Sequence, residues 1–404
     1  MAPDTRNVRR GSLAVGTATV LLAALAACGD SSGSDSSGSG SGGLPSTIKV
    51  GVPLDLTGSS AITGVGTGEQ AGVKFAIKQI NDSKLLGNSK IEGVFYDTQA
   101  NKTQAVSRTI QLTTKDGVKA IVGYSLTDSF LAAAPTAQKA SIPTMAVGLS
   151  GAGVTDVGDY MFRELLDFSR LFDGGDPQFL KATGGKTAAY LYGSDTVTTS
   201  GQYKHRSALL KSLGIKTVAS ESITSTTTDM GAQLTSIKNA HPDYLVIDVD
   251  TGQVPQVLTQ VASAGIKAQV LGDNGLGSAQ SLASATAAQG AQCGLFTIPW
   301  YVGSKEGGNP QFVKDWQAAH GGKQPDLFNA LGHDAMLAMA TAIKQAGTTD
   351  SAKVRDALLN LSSFSGALGD YKWASDRQPT YKGIDMQIQN GKAAVWTPRS
   401  TCKR

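Results

Sequence analysis

From Thr47 onward two hydrophobic periods take turns along the chain, and this alternation is the strongest constraint on what it can fold into. Ile48, Val50, Val52 and Leu54 recur at every second residue, as in a β-strand, and Val73, Ala76, Ile77 and Ile80 follow at helical spacing. The unit repeats with strand signals at 94–96, 120–122 and 144–147 and helix signals at 103–114 and 130–139. After Glu164 the register begins again, with strands at 188–192, 217–220, 244–249 and 269–271 and helices at 202–213, 229–239 and 254–264. Strands separated by helices of this length pair in parallel through right-handed crossovers, and their ligand sites lie at the strands' carboxyl ends. Two successive runs predict an α/β chain of two lobes with parallel sheets. Two amphipathic helices, at 310–320 and 331–346, come later and must return to one of those lobes.

The first thirty residues set the address. Arg6, Arg9 and Arg10 precede a charge-free run over 11–27, and a basic region, a short apolar stretch and small residues before a cut describe a secretory signal. The run is also shorter than the roughly 20 residues a spanning helix needs. It ends in Leu25-Ala26-Ala27-Cys28, which resembles the bacterial lipobox, in which the cysteine is lipid-modified and becomes the first mature residue. The alternative is an uncleaved anchor, or a signal with an incidental cysteine. Residues 29–43 are only Gly, Ser and Asp, a flexible coil that would let a globular body stand off a bilayer. The expected organisation is a signal peptide at 1–27, a lipidated Cys28 with its tether at 28–46, the two-lobed body, and a tail at 398–404. Arg9-Arg10 leaves the export route open.

Of the formal net charge of +4, the signal's three arginines and one aspartate account for +2, so the mature protein keeps +2. Membrane attachment therefore rests on the lipid, and there is no electrostatic case for nucleic-acid binding. The expected location is outside the cytoplasm, held to the cell membrane.

No catalytic constellation emerges. Gly64, Gly66 and Gly68 lack GxGxxG spacing and come well after the strand ends near Leu56, so they predict a mobile loop at a helix start rather than a dinucleotide site. Gly148-Leu149-Ser150-Gly151 fails the nucleophile-elbow pattern, since position 152 is alanine. His205, His241, His320 and His333 show no metal-ligand spacing, and each is most simply a surface or helix residue. Cys28, Cys293 and Cys402 contain no CxxC pair.

Two loops carry a different signal. Residues 123–129, which include Ser125 and Thr127, and residues 148–151 place hydroxyls and backbone N–H groups at the ends of neighbouring strands. Thr127-Asp128-Ser129 is expected to start the next helix, where a ligand carboxylate would be held well. Equally, these hydroxyls could be helix caps and nothing more.

The order of several segments adds a family resemblance. Ile48-Lys49-Val50-Gly51-Val52, Thr57-Gly58, Ala71-Gly72, Ile80-Asn81, Tyr96-Asp97, Ala120-Ile121-Val122-Gly123, Ile142-Pro143, Gly332-His333-Asp334-Ala335, Ala342-Ile343 and Ala346-Gly347 stand in the order and spacing of one family. They resemble the leucine/isoleucine/valine-binding proteins, type I periplasmic binding proteins, over about 47–396. The resemblance implies two Rossmann-like lobes joined by three crossings, a small ligand between them, and an ABC importer permease as client. It puts lobe 1 at 47–164 plus 299–370 and lobe 2 at 165–298 plus 371–397.

Carried over residue by residue, the carboxylate-binding hydroxyl falls on Thr127 and an Ala-Thr pair falls on Leu149-Ser150. The acid that meets an amino-acid ammonium falls near Asn274, where only the adjacent Asp273 is charged. One aromatic position of lobe 2 falls near Asp250, and another falls within 196–199, where there is no aromatic residue. Either Asp250 or Asp273 takes over the ammonium, or the ligand has none. The expected function is a monomeric solute-binding lipoprotein for an amino acid, branched-chain ones included, or a related small carboxylate. It implies no cofactor, no metal and no catalysis. A sensor of the same fold and an exported hydrolase are the alternatives. Cys293 and Cys402, the thiols left after lipidation in an oxidising compartment, are expected to pair and pin the tail to lobe 2; otherwise they are two unrelated thiols.

Overall fold

In the computed structural model the described residues are 43–58, 60–361, 364–400 and 402, with backbone alone for 60–63. The expected signal, Cys28 and nearly all of the expected tether lie outside them. Lobe 1 is wound from β1 (Thr47–Leu54), α1 (Ser60–Asp82), β2 (Lys90–Asp97), α2 (Lys102–Thr114), β3 (Ala120–Gly123), α3 (Thr127–Lys139), β4 (Thr144–Ala146) and β5 (Met161–Arg163). Its five strands are all parallel, in the order β2-β1-β3-β4-β5. Val50 and Val52 of β1 are wholly buried, as a parallel sheet covered by helices on both faces requires.

Lobe 2 follows with α4 (Phe168–Thr183), β6 (Thr187–Gly193), α5 (Val197–Ser212), β7 (Lys216–Ile223), α6 (Gly231–Asn239), β8 (Tyr244–Asp248), α7 (Val254–Ala264), β9 (Gln269–Leu271), α8 (Ala285–Gly290) and β10 (Leu295–Ile298). The chain then forms α9 (Asn309–Ala319), α10 (Leu327–Ala346), α11 (Ser351–Leu359), an antiparallel pair β11 (Phe364–Gly366) and β12 (Gly369–Tyr371), and finally β13 (Ile384–Gln389) and β14 (Lys392–Val395). The second sheet runs β14-β13-β10-β9-β8-β6-β7. It is not purely parallel as expected: β13 pairs antiparallel with β10, and β14 with β13, because the chain returns for the last time as a hairpin at the sheet edge.

The late helix α10 returns to lobe 1, where Ala335, Met336, Met339 and Ile343 share a core with Val50, Val52 and Val73. Two glycines set its distance from α1. A Cβ on Gly72 would sit 2.1 Å from the Asn329 carbonyl oxygen, and one on Gly332 would sit 2.2 Å from that of Glu69, so the two backbones touch. The expected loop at Gly64, Gly66 and Gly68 is instead part of α1. Packing explains two of these glycines: a Cβ would meet the Asp55 carbonyl oxygen at Gly66 and Phe328 at Gly68. His333 is a helix residue, within α10. It is buried, with ring nitrogens 2.8 Å from both Asp334 Oδ1 and Gln79 Oε1.

The crossings after β5 and after β12 are bonded to each other. Trp373 Nε1 donates to the Arg163 carbonyl (2.8 Å), and Tyr381 Oη donates to the Glu164 carbonyl (2.9 Å) while accepting from Leu166 N (3.0 Å). Tyr371 Oη donates to the Glu164 carboxyl, whose burial holds its pKa well above the usual range. Cys293 and Cys402 are joined by a disulfide (Cα–Cα 5.6 Å), which ties residue 402 beside β13. No helix among the described residues is long and apolar enough to cross a membrane.

Candidate functional site

Both sheets are wound in the same sense. β2-β1-β3-β4-β5 in one matches β7-β6-β8-β9-β10 in the other, and in such sheets the crevice lies off the strand carboxyl ends where the winding reverses. Loops from both crevices meet. Lobe 1 supplies Ser125, Leu126 and Thr127 after β3 and Gly148 and Ser150 after β4. Lobe 2 supplies Thr198, Thr199 and Gln202 from α5, Val249, Asp250 and Thr251 after β8, and Asp273 and Asn274 after β9. With Val65, Leu165 and Phe328 they enclose a cavity of about 60 Å³.

Thr127 is the first residue of α3, yet its hydroxyl does not cap that helix, whose N-cap, Leu126, has no side-chain cap bond. Thr127 Oγ1 instead accepts from Gly151 N (3.3 Å) and from Thr198 Oγ1 across the cleft (3.2 Å). Val197 N donates to Asp128 Oδ2 over the same gap (3.1 Å), so the two lobes already meet at the paired N-termini of α3 and α5. Both helix ends direct backbone N–H groups and positive dipole ends at the cleft, which favours a bound carboxylate.

Behind this wall stands a residue that sequence reasoning missed. Glu69 of α1 is fully buried; its Oε2 accepts from Ser125 Oγ (2.5 Å), and its Oε1 has no partner. A Cβ on Gly148 would lie 1.9 Å from Oε1, so Gly148 is the residue that makes room for it. Burial holds the Glu69 carboxyl well above its usual pKa. Ser125 Oγ also accepts from Asp55 N (3.2 Å), so its own proton is committed to Glu69. The serine shapes the wall more than it offers a donor.

Lobe 2 presents acids. Arg206, wholly buried, is already matched: it forks onto Asp176 (2.6 and 2.8 Å) and reaches Asp248 (3.2 Å). Asp273 accepts from Gly275 N (2.8 Å) and Gln202 Nε2 (3.0 Å), and burial raises its pKa against those bonds. Asp250 has no ion-pair partner among the described residues; burial, then the charges of Asp195, Asp273 and Asp128, push it up to about 6. Gln202 is also buried, and its Oε1 lacks a partner. The cavity lining contains two carboxylates and no lysine, arginine or histidine.

Six of the residues expected at the site, Ser125, Thr127, Ser150, Asp250, Asp273 and Asn274, therefore line one cavity. Leu149 does not. Its side chain is in the core with Tyr124 and Phe130, because the alternation of the chain after β4 turns it inward, and its carbonyl accepts from Arg163. Gln202 could have been found as a polar residue on the buried stripe Thr199, Gln202, Arg206 and Leu210 of α5. Among the described residues no group of His, Cys, Asp or Glu is placed to hold a metal.

A family model described as periplasmic binding protein matches residues 47–393. The leucine-, isoleucine-, valine-, threonine- and alanine-binding protein of Pseudomonas aeruginosa is 24% identical over 352 residues, covering 85% of this chain and 89% of that one. Leu/Ile/Val-binding protein homolog 1 of Brucella suis is also 24% identical, covering 84% and 89%. Among solved structures, the branched-chain amino acid transporter substrate binding protein of Streptococcus pneumoniae in complex with isoleucine gives a TM-score of 0.78 at 24% identity, covering 87% and 99%. A solute binding protein of an ABC transporter from Rhodopseudomonas palustris in complex with 3,4-dihydroxybenzoic acid gives 0.76 at 20%, covering 87% and 96%. At these identities the structural likeness speaks to the fold.

Proposed function

Given that this chain belongs to the periplasmic binding protein family, among the leucine/isoleucine/valine-binding proteins, we propose that it is a solute-binding lipoprotein that captures an amino acid between its lobes and presents it to an ABC importer. One observation carries the choice of ligand. A single cavity joins the hydroxyls of Thr127 and Ser150 and the N-terminus of α3 from lobe 1 to the carboxylates of Asp250 and Asp273 from lobe 2. A zwitterion satisfies both walls at once, whereas a simple anion would leave buried carboxylates without a cation.

The ligand's carboxylate bonds to Thr127, Ser150 and adjoining N–H groups, and its ammonium to Asp250 or Asp273. Bridging the lobes, it favours the closed arrangement by its differential affinity, and the permease reads that closed form. The proposed lobes are 47–164 plus 299–370 and 165–298 plus 371–397, anchored through lipid on Cys28. The ligand leaves unchanged, since the protein is a binder and not an enzyme.

The test is calorimetry of the mature protein with a panel of amino acids and small carboxylates. Thr127→Val combined with Ser150→Ala should abolish the binding seen in the parent; retained affinity would refute the site. Cys28→Ser should release the protein from the membrane fraction, and a variant that stays bound would refute the anchor.

A further inference from the structure

The cavity bounded by Thr127 and Asp250 is too small for a whole amino acid. At about 60 Å³, and with one water needing roughly 10–15 Å³, it has room for about five water-sized groups, the size of an α-amino-acid head. It is not closed off. Val65, Thr251, Asn274 and Phe328 line both this cavity and a second chamber of about 540 Å³. That chamber is walled mainly by apolar and aromatic groups, among them Phe296, Ile298, Trp300, Tyr301 and Met386. Its lining, too, contains no lysine, arginine or histidine.

Three observations constrain the occupant. The head cavity has two carboxylates and no cation of its own, while the nearby Arg206 is already matched by Asp176 and Asp248. Gln202, 2% exposed, lines the head cavity with an unpartnered Oε1 that needs a donor, which an ammonium supplies. The chamber next to it is nine times larger and mainly apolar, with Asp326 as the one acid in its lining, so a ligand ending in a short aliphatic group would leave most of it unfilled.

Resting on the amino-acid reading above, we infer that the ligand must carry an ammonium and has an apolar body larger than a branched-chain side chain, which occupies the chamber lined by Phe328, Trp300, Ile298 and Met386. The substrate class is thus a bulky, aromatic-bodied amino acid or its close amine-bearing analogue. Aromatic acids without an amine are disfavoured by the carboxylates.

The test is calorimetry of the mature protein with L-alanine, L-leucine, L-phenylalanine, L-tryptophan and 3-phenylpropanoate, which is phenylalanine without its ammonium. The expected result is that the aromatic amino acids bind at least about tenfold tighter than leucine, from the extra apolar area buried. 3-Phenylpropanoate should bind about a hundredfold weaker than phenylalanine, from the lost charge-assisted bonds. Ala279→Trp, an exposed residue of the chamber rim, should weaken phenylalanine about tenfold by filling space and leave alanine within about twofold. If leucine binds as tightly as phenylalanine and Ala279→Trp changes nothing, the chamber is not a ligand site, and the amino-acid reading survives alone. If 3-phenylpropanoate matches phenylalanine, the ammonium requirement is wrong. If none of the five binds, both the inference and the reading beneath it fall.

Discussion

Neutralising Asp250 should move stability and ligand affinity in opposite directions, because both depend on the same half-buried carboxylate. Burial, reinforced by the charges of Asp195, Asp273 and Asp128, raises its pKa from 3.8 to about 6 in the folded protein. In the unfolded chain it keeps the ordinary value. Between those two values the folded state binds more protons than the unfolded one, so stability falls as pH rises through the window and levels off above about pH 6. The gap corresponds to about 3 kcal/mol of folding free energy lost at pH 8, as an upper figure, because Asp250 keeps some solvent contact. Asp250→Asn removes this cost. In urea titrations the ligand-free variant should exceed the parent by up to about 3 kcal/mol at pH 8, and the difference should shrink towards zero near pH 4. With Asp250 as the ammonium's partner, affinity for a bound amino acid should behave in the opposite way: in the parent it falls about tenfold per pH unit below about pH 6, as that partner is protonated. In the variant it is weak throughout. A variant no more stable than the parent at pH 8, or an advantage that persists undiminished at pH 4, would refute the argument that a buried, uncompensated charge sits at this position.

Other consequences follow from the packing. Arg206→Leu leaves Asp176 and Asp248 buried without their cation and should cost about 3–5 kcal/mol in urea unfolding. Gly332→Ala pushes a methyl group to 2.2 Å from the Glu69 carbonyl oxygen and should destabilise by at least about 1–3 kcal/mol. In the same thermal melts Gly64→Ala, where nothing lies within 4 Å, should be neutral or mildly stabilising. Cys402→Ser opens a loop spanning 109 residues and should cost up to about 4.7 kcal/mol, with the same loss on reducing the parent.

The wound lobes were legible because each strand and helix leaves its own period in its own residues. The segment 165–187 was not. It holds α4, whose stripe of Phe168, Leu171, Phe172, Phe179 and Leu180 is interrupted by Gly174, Gly175 and Pro177, residues that normally break a helix. Gly175 is accounted for only by its neighbour: a Cβ there would sit 1.9 Å from Thr297 Oγ1 on β10. The edge hairpin of β13 and β14 was equally hidden, since strand direction depends on where the chain re-enters the sheet.

At the site, Thr127, Ser150 and the lobe 2 acids were legible as types of residue at the ends of strands, and their order along the chain sufficed to nominate them. Their roles were decided by distance through space. Ser125 looks like a ligand donor until Glu69, 56 residues earlier, is found to hold its proton. Asp248 and Asp250 are two residues apart, yet one faces Arg206 and the other has no ion-pair partner among the described residues. By itself, then, the sequence determined the periodicities and the candidate polar groups, all of which depend on near neighbours. Which groups are desolvated, which charges are compensated and how large a space they enclose were decided only by the tertiary structure, because those quantities depend on contacts between segments far apart in the chain.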